Sequence, residues 1–206
     1  MRSYGPRQLW TIRHAESEWN VVGLIQGQTD VSPLTARGHT QAMALARQFR
    51  VGSVSTVISS DLRRAVQTAM PLAAALGLPV HLDPRLRERS YGVLEGQPTS
   101  VLTSAVSGIE DDRVVDPGCR PPGGESITEL WWRAAAFLSS LANGEGDVVA
   151  IVHGGSLRAL QACSEGTPPN LMTWTAKSNC AIQRLDLYNF DSPAGMGAHV
   201  KEEVAP

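Results

Sequence analysis

Short β-rich runs alternate with longer helix-period runs along this chain, and that alternation restricts its fold more than any other feature. Residues 9–12 ("LWTI"), 55–60 ("STVISS"), 79–83 ("PVHLD"), 148–152 ("VVAIV") and 180–187 ("CAIQRLDL") read as strands, the fourth the most strongly apolar. Between them, Ala42, Leu45, Ala46 and Phe49 recur at helical spacing within 35–50. Leu62, Ala65, Val66, Ala69, Ala73 and Leu76 mark one face of a second helix, stopped by Gly77 and Pro79, and Ile127, Leu130, Trp131, Ala134, Leu138 and Leu141 mark a third within 125–142. Strands separated by helices imply crossover connections and a mainly parallel sheet. At 206 residues a single domain, 1–206, is expected.

Three segments interrupt the pattern. Pro71 falls inside the second helical run and is predicted to kink or restart it, because it removes a backbone donor and clashes with the preceding turn. Across 94–124 the periodicity fails and "DPGCRPPGGES" is dense in Pro and Gly, as in an insertion or cap loop over one face. The tail 192–206 is expected to be disordered.

Composition excludes several functions. The formal net charge of −2 supplies no global field for nucleic acid or an anionic membrane surface. Apolar residues make up 42% of the chain, yet no run approaches the roughly 20 residues needed to span a bilayer. "MRSYGPRQ" holds no apolar stretch that would serve as a signal peptide, so a cytoplasmic location is expected. Cys119, Cys163 and Cys180 are odd in number and lack metal-ligand spacing, which suits idle thiols. Of the 18 cations only Lys177 and Lys201 are lysines. Codon bias explains that as readily as phosphate binding does, so position carries the argument instead.

In an open parallel sheet, ligands bind beyond the carboxyl ends of the strands. The first strand ends in Arg13 and His14, the second runs through Ser59 and Ser60 into Arg63 and Arg64, the third leads to Arg87, Glu88 and Arg89, and the fourth ends in His153, Gly154 and Gly155. Two imidazoles, several guanidiniums and a carboxylate would meet there. Guanidinium forks match phosphate oxygens two at a time. A neutral imidazole whose one nitrogen is hydrogen-bonded keeps the other as a nucleophile toward phosphorus, and Glu88 is placed to protonate the leaving oxygen. A cationic cluster of this kind would stand in for the metal ions of other phosphotransfer enzymes, and no clustered carboxylates suggest a metal site.

Arg64 lies two residues past Leu62, roughly 200° round the helix, so it should face away from the core stripe. The "HGGS" turn would offer backbone amides at a helix N-terminus, although an ordinary tight turn explains it equally. His39, His81 and His199 have no comparable setting and read as structural or exposed, and the Trp131–Trp132 pair reads as core plus rim.

Together "RHAES", "SSDLRRAVQTA", "LRERSYGVLEG" and "VHGGSLRAL" resemble, in order, the histidine phosphatase superfamily, which includes the cofactor-dependent phosphoglycerate mutases. The resemblance implies a three-layer α/β/α sandwich of the phosphoglycerate mutase-like kind, with His14 as nucleophile, Arg13, Arg64 and His153 as phosphate pocket and Glu88 as proton donor. It suggests Asn20, Gln26 and Gly27 as further phosphate contacts, and Arg89 and Tyr91 as substrate contacts. Ala15 stands where the family more often has glycine, a position a methyl group tolerates if φ is negative.

"ERSYG" and "ESEWN" look like mutase sequence, whereas "IQGQTD" and "PPGGES" look like the phosphatase branch. Within 99–124 only Arg113 and Arg120 offer the guanidiniums with which mutases hold a second substrate group. The expected activity is therefore a phosphomonoesterase that needs no metal or cofactor and acts on a small phosphorylated metabolite. A phosphoglycerate mutase is the alternative, and an inactive module that captures phosphorylated ligands is a third reading. A free sheet edge would suit a homodimer.

Overall fold

The computed structural model describes residues 7–187. The elements, in order, are β1 (Gln8–Arg13), α1 (Glu18–Val22), α2 (Ala36–Ala46), β2 (Thr56–Ser59), α3 (Arg63–Leu76), β3 (Val80–Leu82), α4 (Ser104–Ser107), β4 (Ile109–Glu110), β5 (Arg113–Val114), α5 (Ile127–Leu141), β6 (Val148–Val152), α6 (Gly154–Ser164) and β7 (Ile182–Asp186). The predicted tail from Ser192, and His199 with it, lies outside the described residues.

Five strands form one sheet in the order β3-β2-β6-β1-β7. The first four are parallel, and β7 runs antiparallel to β1. The mainly parallel sheet is therefore as expected, with one reversed edge. In the centre, β1 lies against β6 with Leu9 opposite Val148 and Arg13 opposite Val152.

The continuous apolar run of β6 has its reason in the layers. Val148, Ala150 and Val152 face a core built with Ile127, Leu130 and Leu138 of α5 and Leu157 and Leu160 of α6. Val149 and Ile151 face the opposite core, shared with Leu45 of α2 and Ala65, Ala69 and Leu72 of α3. A strand covered on both sides has no solvent face on which to place polar residues.

The helical faces read from the sequence are largely the buried ones, but three details differ. α2 stops at Ala46, so Phe49 lies beyond its end, where it meets Trp10 edge-on at 5.9 Å. α3 runs unbroken through Pro71. Burial of Thr68, Ala69, Leu72 and Ala73 on both sides of the proline holds one helical face to the sheet despite the missing backbone bond. The 94–124 stretch is also less plain than a loop. It holds a turn of 3₁₀ helix at Thr99–Val101, then α4, then the β4–β5 hairpin. Asp111 and Asp112 make that hairpin's two-residue turn with φ of 45° and 59°, the left-handed pair such a turn requires.

α5 begins with a capping box. Ser126 Oγ accepts from the Glu129 N–H at 3.2 Å, and Glu129 Oε2 accepts from the Ser126 N–H at 2.8 Å. Ser126→Ala removes the side-chain half of this exchange and is expected to destabilise the fold by about 0.5–2 kcal/mol. A lower urea midpoint at unchanged m-value is the predicted readout, and an unchanged midpoint contradicts the assignment.

Candidate active site

The parallel pairing of β1 with β6 carries both strands to the same edge of the sheet, and the residue after each is a histidine. The His14 N–H donates to the Val152 carbonyl at 2.8 Å, extending the ladder by one residue. The His14 and His153 rings then lie with centroids 5.1 Å apart. Both side chains are buried, at 3% and 0% exposure.

His14 Nδ1 lies 2.7 Å from the Ala15 carbonyl. A carbonyl only accepts, so Nδ1 carries the hydrogen and Nε2 keeps a lone pair. Burial is the main reason that the His14 pKa is held well below the ordinary imidazole value, followed by the positive charges of Arg64 and Arg13. His14 is therefore neutral at pH 7. His153 is depressed in the same way, by burial first and then by Arg64 and His14. Its Nε2 is 2.9 Å from Ser60 Oγ, and its Nδ1 is buried without a partner. Ala15 takes the negative φ its methyl group needs, and its N–H donates to Thr68 Oγ1 at 3.0 Å.

Arg64 is 1% exposed. It turns away from the apolar stripe of α3, as its helical position predicts, but into the protein rather than into solvent. Its Nη1 donates to the Thr29 carbonyl at 3.0 Å and its Nη2 to the Gly27 carbonyl at 2.7 Å. Burial lowers its pKa to about 10 against the pull of Glu88, Asp30 and Glu95, so it remains cationic at neutral pH. Arg13 donates through Nη1 to the Lys177 carbonyl. The Nε atoms of Arg13 and Arg64 are both buried and unpartnered.

Glu88 meets the start of α6. Its two carboxylate oxygens accept from the Gly155 N–H at 2.9 and 3.0 Å, where the helix dipole favours negative charge. A Cβ on Gly155 would stand 2.3 Å from Glu88 Oε1, so the second glycine of "HGGS" is what lets the carboxylate approach.

Arg13, His14, Asn20, Gln26, Gly27, Arg64, Glu88 and Tyr91 line one cleft of about 170 Å³, and His153 and Gly154 are buried behind that lining. Asn20 Oδ1 accepts from the Ser17 N–H at 3.1 Å, and Gln26 Oε1 accepts from Ser17 Oγ at 2.9 Å. Burial pushes the Tyr91 pKa up to about 12, so the phenol stays protonated.

Arg89 departs from expectation. Its side chain is fully buried and donates to the carbonyls of Glu125 at 2.8 Å, Ser107 at 2.6 Å and Cys119 at 2.9 Å. It ties the 94–124 segment to the domain, and its buried guanidinium is not among the residues that line the cleft described above. His39 and His81 are exposed; Trp131 is in the core and Trp132 is 48% exposed, as expected of core plus rim. The three cysteines are free thiols. Among the described residues no group of three His, Cys, Asp or Glu side chains comes together as a metal site would require, and no helix is long and apolar enough to cross a membrane.

Three contributors carry no role in the sequence reading, although Ser60 and Gly155 stand among its strand-end residues. Ser60 obeys the strand-end rule and was readable as a site residue. Gly155 needed the partner carboxylate to give it meaning. Asn179 donates to the His14 carbonyl at 3.0 Å and to Asn20 Oδ1 at 3.1 Å. It precedes β7, and only because β7 is antiparallel does the start of that strand lie at this edge.

Comparison with known proteins agrees with this geometry. The pattern of the "Histidine phosphatase superfamily (branch 1)" matches residues 9–192. A "Probable phosphoglycerate mutase GpmB" from Yersinia enterocolitica is 38% identical over 190 residues, covering 87% of this chain and 84% of that protein. The solved structure of a mycobacterial glucosyl-3-phosphoglycerate phosphatase superposes with a TM-score of 0.72 at 29% identity, covering 87% of this chain and 90% of its own. A phosphoserine phosphatase from Entamoeba histolytica, solved with 3-phosphoglyceric acid, superposes with a TM-score of 0.73 at 30% identity, covering 86% and 89%. The chain belongs to the histidine phosphatase superfamily.

Proposed function

We propose that this protein is a metal-independent phosphomonoesterase that hydrolyses a small phosphorylated metabolite through a phosphohistidine on His14. One observation carries the reading. The lone pair of His14 Nε2 belongs to a cleft with the buried guanidinium of Arg64 and the half-buried one of Arg13, and Arg13 Nε, Arg64 Nε and His153 Nδ1 are all buried without partners. Each such group costs about 1–3 kcal/mol if left unpaired. A phosphate with several acceptor oxygens would satisfy them together, with the Asn20 and Gln26 amide NH2 groups as further donors.

In the first step His14 Nε2 forms the N–P bond as the ester P–O bond breaks. Glu88, which takes up a proton as the anionic ester binds beside it, gives that proton to the departing oxygen, and the alcohol leaves. Water then attacks phosphorus and passes a proton to the Glu88 carboxylate, the N–P bond breaks, and inorganic phosphate departs. His14 is neutral again and Glu88 protonated. Arg13 and Arg64 neutralise the equatorial oxygens throughout, the part metal ions play elsewhere. In the tautomer in which Ser60 Oγ donates to His153 Nε2, the Nδ1–H of His153 is the hydrogen left for the phosphate.

A phosphoglycerate mutase is the second reading, favoured by relatives at 38–39% identity that are named probable phosphoglycerate mutases. Against it, Arg89 is committed to three carbonyls, and Arg120 is paired with Glu129 at 2.7 Å.

Phosphate release from p-nitrophenyl phosphate should persist in excess chelator and fall by about 10³-fold or more in His14→Ala. Chelator inhibition reversed by a divalent metal contradicts the metal-free mechanism. Interconversion of 2- and 3-phosphoglycerate primed with bisphosphoglycerate should be slower than hydrolysis, and a mutase rate above the hydrolytic one reverses the choice. In Glu88→Gln, kcat/KM should drop by about 10²–10⁴-fold for an alkyl phosphate and far less for p-nitrophenyl phosphate, whose leaving group needs no proton. Equal losses on both contradict the acid role.

The histidine shifts give a further test. Both folded-state pKa values are lowered, so below about pH 6.5 the unfolded chain binds protons that the native site refuses. Stability is full above that pH and falls as pH drops through it, by about 1.4 kcal/mol per pH unit for each histidine. Urea midpoints between pH 7.5 and 5.5 should show the fall, and ring NMR titrations should place both midpoints below the ordinary value. Midpoints at or above it contradict the neutral nucleophile.

A further inference from the structure

Beyond the phosphate end, the cleft changes character. Away from His14 the wall is formed by Leu24, Ile25, Tyr91, Thr99 and Leu102, and the cations that line the cleft are Arg13 and Arg64, whose charges act on His14. From this placement we infer that the alcohol leaving phosphorus is compact, uncharged and largely apolar, and does not carry a carboxylate or a second phosphate. The inference rests on the phosphatase reading above and specifies its substrate class.

An anionic leaving group against this wall would lose hydration with no countercharge to replace it. The neighbouring guanidiniums are engaged through most of their nitrogens. Arg89 is held by three carbonyls, and Arg133 pairs with Glu125 at 2.7 Å. Arg87 pairs with Asp61 at 2.5 Å. Arg158 approaches most closely, with Nη1 at 3.1 Å from where a Cβ on Gly154 would stand. Its Nε and Nη2 both donate to the Thr175 carbonyl, at 2.8 and 2.6 Å, and its plane lies over the Trp174 ring at 5.1 Å. It lines a separate cleft behind α6, together with Lys177.

The wall is also built rather than draped. The Thr99 N–H donates to the Gly23 carbonyl at 2.9 Å, Ile25 N–H to Gln97 at 2.9 Å and Gly96 N–H to Ile25 at 2.8 Å. This short ladder joins the two segments that present Leu24 and Thr99, so the apolar surface is pre-formed. The cleft volume of about 170 Å³ has to hold the phosphate as well. It is small beside the 300 Å³ and more typical of drug-sized ligands, so the space inside the cleft beyond the phosphate suits about one ring or a short alkyl chain.

Benzyl phosphate and 3-phosphoglycerate test this directly, because both are primary alkyl esters and differ in what the alcohol carries. The full-length protein should show kcat/KM at least about tenfold higher for benzyl phosphate. In Leu102→Arg, a partly exposed site that tolerates a longer side chain, the ratio should fall by about fivefold or more as a cation enters the wall. In Arg158→Met the ratio should hold within about twofold. A wild-type preference for 3-phosphoglycerate overturns the inference, as does loss of 3-phosphoglycerate turnover alone in Arg158→Met, which would make Arg158 the anion site. No hydrolysis of either ester or of phenyl phosphate overturns the phosphatase reading and this inference with it.

Discussion

The register of β1 on β6 is the constraint on which the rest depends. With Arg13 opposite Val152 and the His14 N–H bonded to the Val152 carbonyl, the next residue on each strand is an imidazole, and the two rings sit 5.1 Å apart. A one-residue slip would exchange the faces of every side chain on the strand. Ile12 would then leave the core it shares with Val149 and Ile151, and Arg13 would enter it. The apolar pattern that packs the sheet is thus the same pattern that aims the chemistry.

Around that pair the protein buries charge at a cost to stability. Arg64 is nearly inaccessible, Arg13 and Arg64 each keep an unpaired Nε, and both histidines are forced neutral. Local consistency fails here and holds elsewhere, as expected where a ligand supplies the missing partners. Glu88, Glu95 and Asp30 moderate the field on Arg64. Glu95 also accepts from the N–H groups of Gln28 and Tyr91, both at 3.0 Å, so one carboxylate helps shape two walls of the cleft. Its closeness to Gly27, where a Cβ would stand 2.1 Å from Glu95 Oε1, explains a glycine at φ 49° in that turn.

What the sequence made legible follows from which forces are local. Strand and helix periods, the strand-end rule and the angular position of Arg64 are short-range, and they place Arg13, His14, Arg64, Glu88 and His153 at one edge of the sheet without reference to any contact. Asn179 was hidden because its place depends on the direction of β7, which only pairing decides. Arg89 reads as a substrate contact only through the family resemblance, and a guanidinium beside Glu88 is equally suited to phosphate and to carbonyls. The carbonyls it took come from Ser107, Cys119 and Glu125, 18 to 36 residues away along the chain. The β4–β5 hairpin escaped because Asp-Asp is a weaker turn signal than Asn-Gly or Asp-Gly, and two-residue strands carry no readable period.

A neutral imidazole held at a strand end, with its lone pair in a cage of guanidiniums, is the account's central claim, and a covalent intermediate is its most direct consequence. Rapid mixing of stoichiometric protein and benzyl phosphate, quenched in alkaline denaturant and read by intact mass and peptide mapping, isolates that species. The account predicts a transient phosphoryl group on His14, absent in His14→Ala. Phosphate release with no protein-bound phosphoryl group at any mixing time, or a label mapped to another residue, would contradict it.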